Sequence, residues 1–189
     1  MKLTATVGSG LHAALLFARG RSEALHYVET DLAGAARSFW AIAVGLPAIV
    51  CLRLMTWVAG GPPADAGHAI GLDLMGYLVG WLGFAVLSNH LAPLLGCGAR
   101  WPRFIAAWNW CNVVENALLV AAGIPALLGA PAMLNEVVQI IAIGWALWIE
   151  WFATRESLGT NGMTAAMLVV LDQLIGLLLA GLSLTLLQG

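Results

Sequence analysis

The chain has 189 residues, 61% of them apolar and 10% charged, with a net charge of −2 and a mean hydropathy of +0.89. Soluble domains carry roughly a quarter charged residues, so the composition describes an integral membrane protein, short enough for a single domain. The slight acidity and the lack of any strip of basic and aromatic residues exclude nucleic acid as a partner.

Residues 1–37 are too polar to span a bilayer. Leu3, Val7, Leu11, Ala14, Leu15 and Ala18 recur at helical spacing and form one apolar face. The preferred expectation is an amphipathic helix at the interface, with Arg19 and Arg21 at its C-terminal end beside anionic headgroups. The alternative is a helix that caps the bundle. Leu11–Ala18 is short, interrupted by His12 and followed by Arg19-Gly20-Arg21, so no cleavable signal peptide is expected and the first span serves as the insertion signal. Thr30 and Asp31 suit the cap and first turn of the helix that enters that span.

Five apolar stretches follow: Ser38–Gly60, Ile70–Leu95, Phe104–Leu128, Leu134–Phe152 and Met163–Leu187. Each approaches or exceeds the ~20 residues that cross ~30 Å of hydrocarbon. Lys2, Arg19, Arg21 and Arg37 precede the first stretch, Arg100 and Arg103 divide the second from the third, and Arg155 follows the fourth. The loops Gly61–Ala69 and Gly129–Met133 hold no basic residue. The positive-inside rule then places the N-terminus in the cytoplasm and the C-terminus outside, as expected for a multi-pass protein of a bacterial inner membrane.

Pro47 should make the Gly45-Leu46-Pro47 region of the first span kink or locally open. Short, Gly- and Pro-rich loops should make successive helices antiparallel neighbours. Trp40, Trp57, Trp101, Trp148 and Trp151 fall near helix ends, as an interfacial belt requires, while Trp81, Trp108, Trp110 and Trp145 lie deeper. Gly76 with Gly80, and Gly176 with Ala180, have the spacing that lets helices approach closely. Five spans do not divide into two equal inverted halves, which argues against a duplicated transporter. The expected fold is an all-α membrane protein: a five-transmembrane-helix bundle over residues 38–189, preceded by a cytoplasmic or interfacial segment, 1–37.

Polar residues within spans are costly and carry the functional signal. Arg53 and Asp73, on spans joined by a short loop, can reach similar depth and form a structural ion pair. Asn109, Asn112 and Asn116 share one stripe of the third span, with Glu115 on the adjoining face near mid-depth. Asp172 and Gln173 on the fifth span reach nearly that depth, and Asn89 and His90 lie nearer the cytoplasmic side. The expected polar cluster is therefore Glu115, Asn112, Asn116, Asp172, Gln173, His90 and Asn89. Glu136 and Glu150 are expected near opposite ends of the fourth span, in headgroup water. Two readings of the cluster stand open: a proton or cation site, and a dry hydrogen-bonded seam of protonated acids, the latter preferred.

No zinc-binding His-Glu-x-x-His helix, nucleophile elbow or phosphate-cradling glycine loop is present, so neither catalytic residues, metal ligands nor a cofactor are expected. Cys51, Cys97 and Cys111 lack disulfide or metal spacing and are expected to be buried and reduced.

Leu15-Leu16-Phe17-Ala18-Arg19-Gly20-Arg21, then Arg37-Ser38-Phe39-Trp40 at the entry to the first span, and the Gly76-Tyr77 pair resemble sequences in and around the Ypt-interacting-protein (Yip) family, bacterial members included, as does the five-span plan. The resemblance implies a role in membrane organisation with no established catalytic residues. Eukaryotic members carry a longer cytoplasmic N-terminal region than residues 1–37, so a small-GTPase partner is not expected from the resemblance.

The expected function is that of a non-enzymatic membrane-organising or interaction factor, working through the lipid bilayer, a membrane-protein partner or a homo-oligomer. The alternative is a small transporter or channel component with an intramembrane proton or cation site; an intramembrane enzyme using His90 ranks below both.

Overall fold

A computed structural model describes residues 3–188, with side chains from 4 to 186; Lys2 and the side chains of Leu3 and Leu187 lie outside the described residues. Among these residues the chain is helical throughout: α1 (Leu3–Phe17), a 3-10 turn (Ser22–Tyr27), α2 (Leu32–Ser38), α3 (Trp40–Gly60), α4 (Ala66–Leu94), a second 3-10 turn (Gly98–Arg100), α5 (Trp101–Leu127), α6 (Ala132–Leu158) and α7 (Gly162–Gln188). Five segments are long and apolar enough to cross a membrane: Leu32–Gly60, Ala66–Leu94, Gly98–Leu127, Ala132–Leu158 and Gly162–Leu186.

The ends of these helices follow local chemistry. Asp31 caps α2 by accepting from the Gly34 N–H at 2.7 Å, Asp65 caps α4 through the His68 N–H at 2.9 Å, and Asn161 accepts from the Thr164 N–H at 2.8 Å as α7 begins. Gly61 and Gly159, both at positive φ, stop α3 and α6 where a side chain would be strained. The sixth helix runs to Leu158, well past the Phe152 limit expected from hydropathy. Hydropathy marks where apolar surface ends, whereas the backbone continues through polar Thr154–Ser157 until a left-handed glycine breaks it.

α5 is the hub. α6 packs along it antiparallel and α3 parallel, α7 lies against α6, and α4 lies against α7, so the order around the bundle is α3, α5, α6, α7, α4. The expectation that sequence neighbours would be the main spatial neighbours fails for the α3–α4 hairpin, whose contact is slight, while α3–α5 and α4–α7 are extensive. Gly80 contributes to the latter: an added Cβ would sit a tight 3.3 Å from Leu179, while at Gly76 it would meet Ser183 at an ordinary 3.8 Å. α4 and α5 meet chiefly near the arginine-bearing end, where Phe84 packs on Phe104 and Trp108 with ring centroids 6.1 and 4.7 Å apart.

α3 continues through Pro47 as one helix from Trp40 to Gly60. One residue from the Ala43 carbonyl that Pro47 leaves without its usual donor, the Tyr77 hydroxyl donates to the Ile42 carbonyl at 3.1 Å, fastening α4 to this turn. Gly45 makes room for it, since a Cβ there would lie 2.7 Å from the Tyr77 oxygen.

The N-terminal segment is packed into the bundle. Ala14 and Phe17 are fully buried as α1 lies on α5, the Trp110 indole covers Gly10, and the Trp145 N–H donates to the Ala18 carbonyl at 3.1 Å. The capping alternative thus describes the contact that α1 makes, with Leu15 left 45% exposed on its outer side. Ser38 stands beside Asn109, so α5 starts about two turns nearer the arginine-bearing end than α3 does, and α1 and α2 fill that step. Cys97 and Cys111 are buried as expected, but Cys51 is exposed on the bundle surface because α3 turns that face away from α5. Burial pushes the Cys97 thiol up, outweighing the nearby Arg100 guanidinium.

Candidate functional site

Because α4 keeps close to α7 and only brushes α3, a gap opens between α3 and α4 and leads inward to α5 and α7. A cavity of about 610 Å³ lies between α3, α4, α5 and α7. The aromatic cluster of Trp81, Phe84, Phe104 and Trp108, all buried, blocks it on the arginine-bearing side.

The polar residues of the spans divide between this cavity and a dry seam beneath it. Arg53 and Asp73 form the expected ion pair and line the cavity toward the turn-rich end. Asp73 Oδ2 is buried with no hydrogen-bond partner, so only one oxygen of that carboxylate is satisfied, by Arg53. Asn112, Asn116, Asp172 and Gln173 also line the cavity. Asn112 is held by donation from its side-chain amide to the Trp108 carbonyl at 3.0 Å. Asn109, one turn earlier on the same stripe, belongs to the seam: its oxygen accepts from the Trp81 indole N–H and its amide donates to Ser38 Oγ at 2.7 Å.

Behind Asp172 sits an acid that hydropathy placed in headgroup water. Glu150 is 2% exposed, accepting from the Gln173 amide at 3.2 Å and from the Trp108 indole N–H at 3.4 Å. This corrects the expected position at a span end, and the cause is the extra length of α6, which carries Glu150 inside the bundle. Trp148-Ile149-Glu150-Trp151-Phe152 held the signal, since bulky apolar residues continue past the acid. Asp172, the residue before Gln173, lines the pocket on the same helix. Glu115 Oε1 is buried nearby without a partner. Glu136, by contrast, is exposed as expected.

Asn89 and His90 do not join this group. Both are exposed on α4, and His90 Nδ1 meets only the Val86 carbonyl of its own helix, at 2.8 Å. The buried arc of α4 runs through Trp81, Phe84, Ala85, Ser88 and Ala92, and one or two residues beyond Ser88 the helix has rotated by ~100–200° to the opposite side. An acid or base role for His90 in this cavity therefore falls away. Among the described residues no set of three His, Cys, Asp or Glu side chains is arranged to hold a metal ion.

What remains is a chemically lopsided site. Arg53 is taken up by Asp73, and the hydrogen bonds received by Glu150 come from neutral groups. Three carboxyls that meet no basic side chain in their hydrogen bonds suit a proton or a cation, because unpaired charge in such surroundings is costly. Comparison of the chain with protein-family models, curated proteins and solved structures returned no match. The cavity's own residues carry the functional reading.

Proposed function

We propose that this integral membrane protein is a small, non-enzymatic transporter or channel component that binds a proton or cation in the cavity between α3, α4, α5 and α7. The observation that carries the proposal is the convergence of Asn112, Asn116, Asp172 and Gln173 on about 610 Å³ of open space, with Glu115 and Glu150 close behind. A dry seam alone would leave no such volume beside its acids. Arg100, Arg103 and Arg155 lie at the end of the bundle that also holds the N-terminal segment, and we assign that end to the cytoplasm of a bacterial inner membrane.

The test is flux into liposomes carrying the purified protein. A proton or monovalent-cation gradient should dissipate faster than in empty liposomes, and Glu115→Gln or Asp172→Asn should return the rate to the empty-liposome level. Flux that never exceeds the protein-free control would overturn the proposal.

One observation favours the membrane-organising reading instead: the hydrogen-bonded chain Trp81–Asn109–Ser38 and the packed N-terminal cap fill the arginine-bearing half, as a docking platform would require. That reading expects Glu115→Gln to be silent and a membrane-protein partner or a second copy to co-purify in mild detergent.

A further inference from the structure

The cavity is large for a metal ion and unusually aromatic at one end. Pockets for organic molecules occupy about 300–1,000 Å³, whereas a water-sized occupant takes only ~30 Å³, so about 610 Å³ has room for an organic body. Tyr77, Trp81 and Trp108 all line it, and their rings meet edge to face, with centroids 5.0 Å apart at 76° for the first pair and 5.4 Å at 72° for the second. Rings set at such angles form a corner, and a cation placed over an aromatic face is attracted to its electron-rich side. Asp172 lines the same pocket as these rings, and the Trp108 indole N–H donates to Glu150 behind it at 3.4 Å. Away from it, Ile49, Leu52, Ile175 and Leu179 give α3 and α7 an aliphatic wall.

From this arrangement we infer that the occupant is a lipophilic organic cation, its charged centre held between the Asp172 carboxylate and the aromatic corner and its apolar body lying along α3 and α7. The inference names the substrate class of the transport proposal and rests on it. An anion would meet uncompensated acids, and a sugar would leave most of its hydroxyls against aliphatic walls. A neutral apolar molecule would bury the carboxylate without a counter-charge.

Equilibrium binding of radiolabelled tetraphenylphosphonium to the intact protein in mild detergent tests it, with triphenylphosphine oxide as the neutral comparison. Saturable binding is expected, with one site per chain and at least about tenfold preference over the neutral compound. Asp172→Asn should weaken it about tenfold or more, and Tyr77→Leu should weaken it several-fold while Tyr77→Phe, which keeps the ring, should not. Unsaturable partitioning of the wild-type protein, equal binding of the neutral compound, or full binding by a monodisperse Asp172→Asn variant would each overturn the inference. Because binding is read without a gradient, proton flux in liposomes with no tetraphenylphosphonium binding would sink this substrate class and leave the transport proposal standing. Binding without any flux would do the reverse.

Discussion

Arg103, in the first turn of α5, donates from both Nε and Nη2 to the carbonyl of Ser157 in the last turn of α6, at 2.8 and 2.6 Å. Beside it, Arg100 Nη1 donates to the Leu158 and Gly159 carbonyls at 2.8 and 3.2 Å. The final carbonyls of a helix have no partner within it and carry its negative dipole end. These two arginines therefore do more than mark one face of the membrane; they lock α6 to α5.

The two roles separate by substitution. Arg103→Lys keeps the positive charge and should keep the topology, but it loses the guanidinium fork and should lower thermal stability in detergent by about 1 kcal/mol. Arg103→Ala should lose about 2–3 kcal/mol. Equal melting temperatures for the lysine variant and the parent would show that charge alone matters at this position.

Asn109 joins three helices through a directed chain: the Trp81 N–H donates to its oxygen, its amide donates to Ser38 Oγ, and Ser38 Oγ donates to the Ala35 carbonyl at 2.7 Å. Replacement by leucine orphans a buried indole donor and takes a partner from Ser38. The expected cost is about 2–3 kcal/mol, more than an average interhelical hydrogen bond in a membrane, because both neighbours are left enclosed. A denaturation midpoint in mixed micelles checks this, and a loss below about 0.5 kcal/mol would contradict it.

Gly10 is placed so that a Cβ would fall 2.3 Å from the Trp110 indole, and that ring is itself buried. Gly10→Ala should push α1 off α5 at a cost of about 1–3 kcal/mol. Limited proteolysis should then cleave near Arg19 and Arg21 faster than in the parent protein. Gly8, where an added Cβ would meet nothing within 4 Å, is the control and should tolerate alanine.

Arg53 and Asp73 tie α3 to α4 where little else does. Removing one charge leaves the other without its partner, so Arg53→Met or Asp73→Leu should each destabilise by about 3 kcal/mol. The double variant should recover most of that loss, and a thermal double-mutant cycle measures the difference. Additive losses would mean that the pair contributes nothing as a pair.

The ion pair was legible because its two residues flank a short loop, and so was the asparagine stripe, because 100° per residue places Asn112 and Asn116 together wherever the helix points. Glu150 was not legible as a cavity neighbour. Its depth depended on where α6 stops, and that depended on Gly159 and on arginines from another helix. His90 failed in the opposite way: its depth was reasonable, but the rotation of α4 turned it outward.

Composition, hydropathy and the spacing of basic residues sufficed for an all-helical chain with five spans and one arginine-bearing end, because crossing hydrocarbon demands long apolar helices and because basic loops are costly to translocate. Which helices touch, where the cavity lies and which acids meet in it were decided only by tertiary packing. In a bilayer the lipid and the protein interior are both apolar, so a span has little facial contrast to announce its rotation or its neighbours. Those choices come from close fits such as Gly80 against α7 and from hydrogen bonds between helices distant in sequence.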